Sequence, residues 1–269
     1  SQGEAVLVDL KLFSISDFVK GLNVRFIQTA LMAGTTFAVP LFLQVTYGLS
    51  AFETGFILLG LTGGLMLTDL TATRIGLQYL PKQKVMWGFL VSIVGIFLMI
   101  GFMLVGDAPG GLVPGLFVYG MGIGLIASQI VNLIMSTVTA KQTPEASGVT
   151  STLETLGSSV GTAIVGTILV VALTGGIDQM VAQSTVFAPE VKQQISEDMA
   201  TSVEVVSTEV LSETIQEDGV YEEEALLIYD TARQNAFIIT LLFMAFSALI
   251  AYMLARDLPV AQVSTVEEM

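Results

Sequence analysis

The sequence predicts an all-α membrane protein, a bundle of six membrane-spanning helices. Three observations predict it. The 269 residues are 53% hydrophobic and 13% charged, about half the charged fraction of an ordinary soluble domain. Mean hydropathy is +0.77. The apolar residues also gather into six runs close to the roughly 20 residues that a helix needs to cross a bilayer. These runs fall at about 21–46, 53–73, 85–106, 112–138, 149–173 and 235–255.

The same composition excludes other classes. The chain has no Cys and no His. Disulfides, thiolate or imidazole metal sites, Ser-His-Asp and Cys-His catalysis and a histidine pH switch are therefore out of reach. No nucleotide-binding loop and no paired intramembrane aspartates occur, so no enzyme, metal or cofactor is expected. A net charge of −14 argues against nucleic acid as a partner. The apolar content is too high for a disordered chain.

Each element has a local reason. Residues 1–20 read as a cytoplasmic lead-in without the basic-then-apolar pattern of a leader. In the first span, Arg25, Gln28, Met32 and Thr35 align on one face, with Pro40 as a kink and Gln44 near the far end. Ser50 followed by Glu53 reads as a capping box that opens the second span. A basic stretch from Arg74 to Lys84 leads into the third span. Gly106-Asp-Ala-Pro-Gly-Gly is a turn by composition. Thr143-Pro144-Glu145 places an N-cap, an N1 proline and an early acid before the fifth span. Residues 174–234 are the exception to short connections. They carry 13 of the 24 acids and only Lys192 and Arg233 as basic residues, and read as a solvated loop with short amphipathic helices. Residues 235–255 form the sixth span and 256–269 a tail.

Six spans put both termini on one side. Lys11, Lys20, Arg25, Arg74, Lys82, Lys84, Lys141 and Arg256 then share it, eight of the ten basic residues. The excess of positive charge makes that side cytoplasmic and leaves the acidic loop outside, which is expected for a multi-pass protein of the cell membrane.

Polar groups in lipid are costly unless they face protein or water, so their angular positions are informative. Gly115, Tyr119, Gly122, Gln129, Asn132 and Ser136 share one face of the fourth span. Ser151, Glu154, Ser158 and Thr162 form a polar stripe on the fifth, opposite Leu153, Leu156, Val160, Ile164 and Ile168. Two readings fit Gln129 and Asn132: interhelical hydrogen bonds, or the lining of a transport path together with Gln28 and Thr35. Two also fit Glu154: a carboxylate at the lipid border near a helix N-terminus, or a proton or cation site facing a water-filled cleft. Asp69 and Arg74 read as a gate or loop ion pair. Gly157 and Gly161, spaced four apart, are a small-residue helix contact.

The chain resembles the C-terminal half of a major facilitator superfamily transporter, and more narrowly the 14-span drug:proton antiporters. Val8-Asp9-Leu-Lys-Leu-Phe13 with Phe18 is similar to the lead-in to that family's ninth span. Pro40-Leu-Phe-Leu-Gln44-Val-Thr-Tyr-Gly48-Leu-Ser50, with Gly55, resembles the signature that follows it. Thr143-Pro-Glu-Ala-Ser-Gly148, then Leu156-Gly157-Ser-Ser-Val-Gly161, resembles the entry to the penultimate span. Where the family commonly has an Arg-Gln pair before that glycine, this chain has Glu154-Thr155, a reversal of sign.

The resemblance implies two inverted three-helix repeats and a companion N-terminal half of eight spans. It places spans one and four on a central cavity, and spans two and five, with Gly157 and Gly161, on the moving interface with that half. It also implies proton-coupled export of small amphipathic substrates by alternating access. Uptake or export of a metabolite or osmolyte, or a structural membrane scaffold, are the alternatives.

Overall fold

The computed structural model describes residues 10–75, 80–106, 108–187, 192 and 219–259, and every regular element among them is helical. A 3-10 turn, Leu10–Ser14, precedes α1, Ser16–Tyr47. Then follow α2, Ala51–Ile75; α3, Pro81–Val105; a 3-10 turn, Pro109–Gly111; α4, Leu112–Met135; α5, Thr143–Gln183; and α6, Gly219–Ala255. All six α-helices are long and apolar enough to cross a membrane. Their outer faces carry large apolar side chains such as Phe56, Trp87, Phe97, Leu104 and Phe246, all exposed, which suits lipid as the solvent.

The helix ends follow their local chemistry. α1 runs through Pro40 and stops at Gly48, whose φ of 63° is the left-handed conformation a C-terminal cap needs. The capping box forms as expected: the Ser50 backbone N–H donates to Glu53 Oε2 at 2.9 Å, and the Glu53 N–H to Ser50 Oγ at 3.3 Å. The start of α5 differs by one residue. Gln142 takes the cap position and Thr143 is already helical, because the Gln142 carboxamide folds back to accept from the Thr139 N–H and hydroxyl.

The region 174–234 differs more. Residues 174–183 continue α5, and 219–234 belong to α6; the acid-rich stretch 193–218 lies outside the described residues. The helices persist because their apolar residues still find partners. Ile177 and Val181 on α5, and Ala225, Ile228 and Ala232 on α6, are buried. Ser184 donates to Glu224 at 2.8 Å, and Lys192 donates to the Ala182 carbonyl at 3.1 Å, supplying a cation at the α5 C-terminus.

Helix pairing reveals two related units. α1 and α5 run parallel: Gly157 rests on the Phe26 carbonyl, Gly161 on the Ala30 carbonyl, and Val165 on Gly34. α2 and α4 run parallel in the same register: Gly60 rests on the Val113 carbonyl, Gly64 on the Phe117 carbonyl, and Thr68 donates to the Met121 carbonyl at 3.1 Å. A Cβ on Gly157 or Gly60 would stand 2.8 or 3.0 Å from the carbonyl oxygen it covers, so each crossing depends on bare backbone at matching positions. The C-terminal end of α4 meets the start of α1, Ile134 against Gly21, so the second unit is inverted relative to the first. The bundle is thus α1–α3 followed by α4–α6 turned over, the two inverted three-helix repeats that the resemblance implies.

The remaining contacts close the bundle. α3 lies antiparallel on α4 with Gly95 against Tyr119 and Gly88 against Ile126. α6 lies antiparallel on α1, where Phe42 and Phe237 stack at 4.1 Å. From Gly157 onward the buried positions of α5 are Gly157, Gly161, Val165, Leu169, Leu173, Ile177 and Val181, every fourth residue. Four residues turn a helix by about 400°, so this stripe precesses. It carries the buried face of α5 from α1 to α6.

Candidate functional site

An open cavity of about 760 Å³ lies between α1, α2, α4 and α5. α1 supplies Arg25, Gln28, Thr29, Met32 and Thr36 with Phe37; α5 supplies Glu154, Thr155, Ser158, Ser159 and Thr162; Leu65, Ile123 and Ala127 complete the wall. Helical geometry makes this wall polar. On α5, residues 154, 155, 158, 159 and 162 recur at the spacing of one face, and Gly157 and Gly161 beside them hold that face close to α1.

The charged centre is an ion pair across the α1–α5 crossing. Arg25 Nη2 stands 2.7 Å from Glu154 Oε1, and Nε donates to the same oxygen at 2.8 Å. Arg25 Nη1 donates to Gln28 Oε1 at 2.6 Å. The side chain of Arg25 is 14% exposed and that of Glu154 34%, so the guanidinium is the more enclosed partner and the carboxylate looks into the cavity. A cation this enclosed in a lipid-facing bundle requires such a partner.

The two related crossings are not chemically alike. In the register that matches Gly157 with Gly60 and Phe26 with Val113, Glu154 corresponds to Ile57 and Arg25 to Leu112. Ile57 and Leu112 are both buried. Because the repeats are inverted, the corresponding places lie at opposite ends of the bundle. One of the two crossings is therefore polar and charged at its end of the bundle, and the other is apolar at the opposite end.

The sequence-predicted residues divide accordingly. Gln28 and Glu154 meet in the cavity wall. Thr35 does not join them: it is buried and its hydroxyl donates to the Leu31 carbonyl at 2.9 Å, while its neighbour Thr36 reaches the cavity. Gln129 is half-buried, with its amide toward Ser128 at 3.3 Å, and Asn132 is exposed. α4 instead turns Ile123 and Ala127 to the cavity, and Gln129, two residues past Ala127, points about 200° away. Asp69 is exposed on α2; the Arg74 side chain lies outside the described residues. Gly157 and Gly161 pack on α1 inside this bundle rather than on a surface open to a second lobe, since the Phe26 and Ala30 backbones occupy the space a side chain would need.

Arg25 is the residue that pattern reading undervalued. It was legible as a cation inside the first span and one turn before Gln28, yet its partner is 129 positions away. Arg233 is a second. It is buried on α6 beside the end of α1, donates to the Val45 carbonyl at 3.1 Å and lies 4.1 Å over the Tyr229 ring.

Comparison with known proteins fits this architecture. The probable actinorhodin transporter of Streptomyces coelicolor is 27% identical over 173 residues, covering 62% of this chain and 29% of that protein. The lincomycin resistance protein LmrB of Listeria monocytogenes is 30% identical over 168 residues, covering 62% and 35%. The multidrug efflux pump LfrA of Mycolicibacterium smegmatis is 26% identical over 172 residues, covering 64% and 34%. The chain thus spans about a third of the length of these curated relatives. The family model of the Major Facilitator Superfamily matches residues 3–162, more than half of the chain and all of the first four helices, so this multi-pass membrane protein belongs to that superfamily of carriers.

Proposed function

We propose that the chain is the C-terminal half, spans nine to fourteen, of a proton-coupled exporter of small amphipathic molecules, working by alternating access. The observation that carries this reading is the Arg25–Glu154–Gln28 cluster set in the wall of an open cavity of about 760 Å³. A purely structural bundle gains nothing from keeping a charge pair and a row of hydroxyls against open space. The relatives' names, which include a drug efflux pump and an antibiotic resistance protein, support export over uptake.

In this reading the cavity faces a companion N-terminal half, and cargo enters between the two. Glu154 is the titrating or cation-contacting group, and Gln28 a contact for cargo. Protons moving down their gradient supply about 2.3 kcal/mol per charge for each 100 mV, plus the pH term. Both termini lie in the cytoplasm of a bacterial cell, as the distribution of Lys and Arg favours. That places the Arg25–Glu154 pair toward the inward end of the bundle and the buried Ile57 and Leu112 toward the outward end.

The test is Glu154→Gln in the full-length protein. Drug efflux measured across pH 6–8 should weaken or lose its pH dependence. Unchanged efflux over that range removes Glu154 from the mechanism. Labelling of single cysteines at Gln129 and Asn132 by a membrane-impermeant reagent during transport tests whether a second conformation brings these two into the water-filled path.

A further inference from the structure

We propose that the cavity selects cargo by hydrogen-bond donors and not by charge alone, taking protonated amines in preference to quaternary ammonium ions of equal charge and similar size. The inference rests on the cavity being the transport site.

The wall contains six hydroxyl side chains, and five of them have already committed their hydrogen. Thr29 donates to the Phe26 carbonyl at 2.9 Å, Thr36 to Ala33 at 3.0 Å, Thr155 to Ser151 at 3.1 Å, Ser159 to Thr155 at 3.0 Å and Thr162 to Ser158 at 3.0 Å. A hydroxyl has one hydrogen and two lone pairs. These five can therefore only accept from a bound molecule unless a helix carbonyl is left without its bond. Glu154 extends the same character. Its Oε1 takes both Arg25 bonds, and its Oε2 is turned to no described donor. The strong donors of the wall are concentrated at the Arg25 and Gln28 end, and those of Arg25 are largely held by Glu154 and Gln28. The α5 side is thus an acceptor rail ending in a carboxylate. A protonated amine can place its N–H on that rail. A quaternary ammonium ion satisfies the charge but offers no N–H, and leaves the acceptors facing its methyl groups.

The experiment uses the full-length protein in proteoliposomes and a matched pair of probes: a lipophilic tertiary amine, protonated at the working pH, and its N-methyl quaternary derivative. One charge-assisted hydrogen bond predicts a preference of about tenfold for the amine in competition for transport. In the triple variant Thr155→Val, Ser159→Ala, Thr162→Val the preference should fall to about threefold or less, since only Glu154 and the α1 hydroxyls remain as acceptors. Equal handling of the two probes by the unmodified protein overturns the proposal and leaves the transport reading standing. A tenfold preference that survives in the triple variant also overturns it, because the rail is then not the selector. If neither probe is bound or moved, the transport reading fails and the proposal with it. Should the triple variant not fold, the comparison of the two probes on the unmodified protein decides.

Discussion

The Arg25–Glu154 pair makes a demand that can be measured. Two N–H groups converge on one carboxylate oxygen at 2.7 and 2.8 Å. Unit charges about 4 Å apart at an effective dielectric of about 20 attract by about 4 kcal/mol. Desolvating the enclosed guanidinium returns much of that, and the carboxylate retains some contact with the cavity, so the net coupling expected is about 1–3 kcal/mol. The perturbation is a double-mutant cycle of Arg25→Met, Glu154→Gln and both together. The assay is reversible unfolding of the protein in mixed micelles. Each single variant should cost more than the pair does jointly, because each leaves a partner stranded. The exchange Arg25→Glu with Glu154→Arg should recover part of the loss. Single costs that add to within about 0.5 kcal/mol would show that the two groups are neighbours without being partners, and the charged centre would dissolve.

Other expectations follow from packing and exposure. Gly161→Leu should abolish accumulation of folded protein, since a Cβ there would stand 2.5 Å from the Ala30 Cα; Gly101→Ala, with open space around it, should be tolerated, and detergent-extracted yield compares the two. Cysteine at Ser158 should react with a hydrophilic maleimide, whereas cysteine at the buried Val165 should not, in a chain with no native thiols. Arg233→Met keeps the length of the side chain but removes its bond to Val45 and its charge over Tyr229. Thermal unfolding should shift down by the equivalent of about 1–3 kcal/mol, with the α1–α6 end of the bundle the first to exchange its amide hydrogens.

What the sequence made legible was whatever repeats with a short period. Apolar run length located all six helices, because lipid admits few alternatives to a helix with its backbone satisfied. Spacing on α5 placed Glu154, Ser158 and Thr162 on one face, and the cavity uses that face. The departures share a cause. Thr35 and Thr36 differ by about 100° around the helix, and composition alone does not say which of the two meets space. On α4, a polar face was visible, but its glycines are consumed by α3 and α2: Gly115 and Gly122 against α3, Gly120 and Gly124 against α2. The cavity receives Ile123 and Ala127 instead. Partners distant in sequence, Arg25 with Glu154 and Arg233 with Val45, leave no periodic trace. The α5 and α6 extensions were hidden because their acids resembled a loop while their apolar residues sat at helical spacing on the inner side.

If the charge pair were a device of the crossing itself, its counterpart positions should accept the same residues. Ile57→Glu with Leu112→Arg installs the pair in the same register on α2 and α4. The surroundings differ, however. Arg25 and Glu154 border a cavity of about 760 Å³, which gives the carboxylate water, whereas Ile57 and Leu112 are 9% and 2% exposed and line no part of it. Desolvation then costs several kcal/mol per ion with little return from solvent. The double variant should lose most of its folded yield, and an uncharged exchange of similar bulk, Ile57→Leu with Leu112→Ile, should lose little. Wild-type stability in the charged variant would mean that the crossing and not the cavity sustains the ion pair. The polar end of the bundle would then be an accident of packing rather than the entrance to a path.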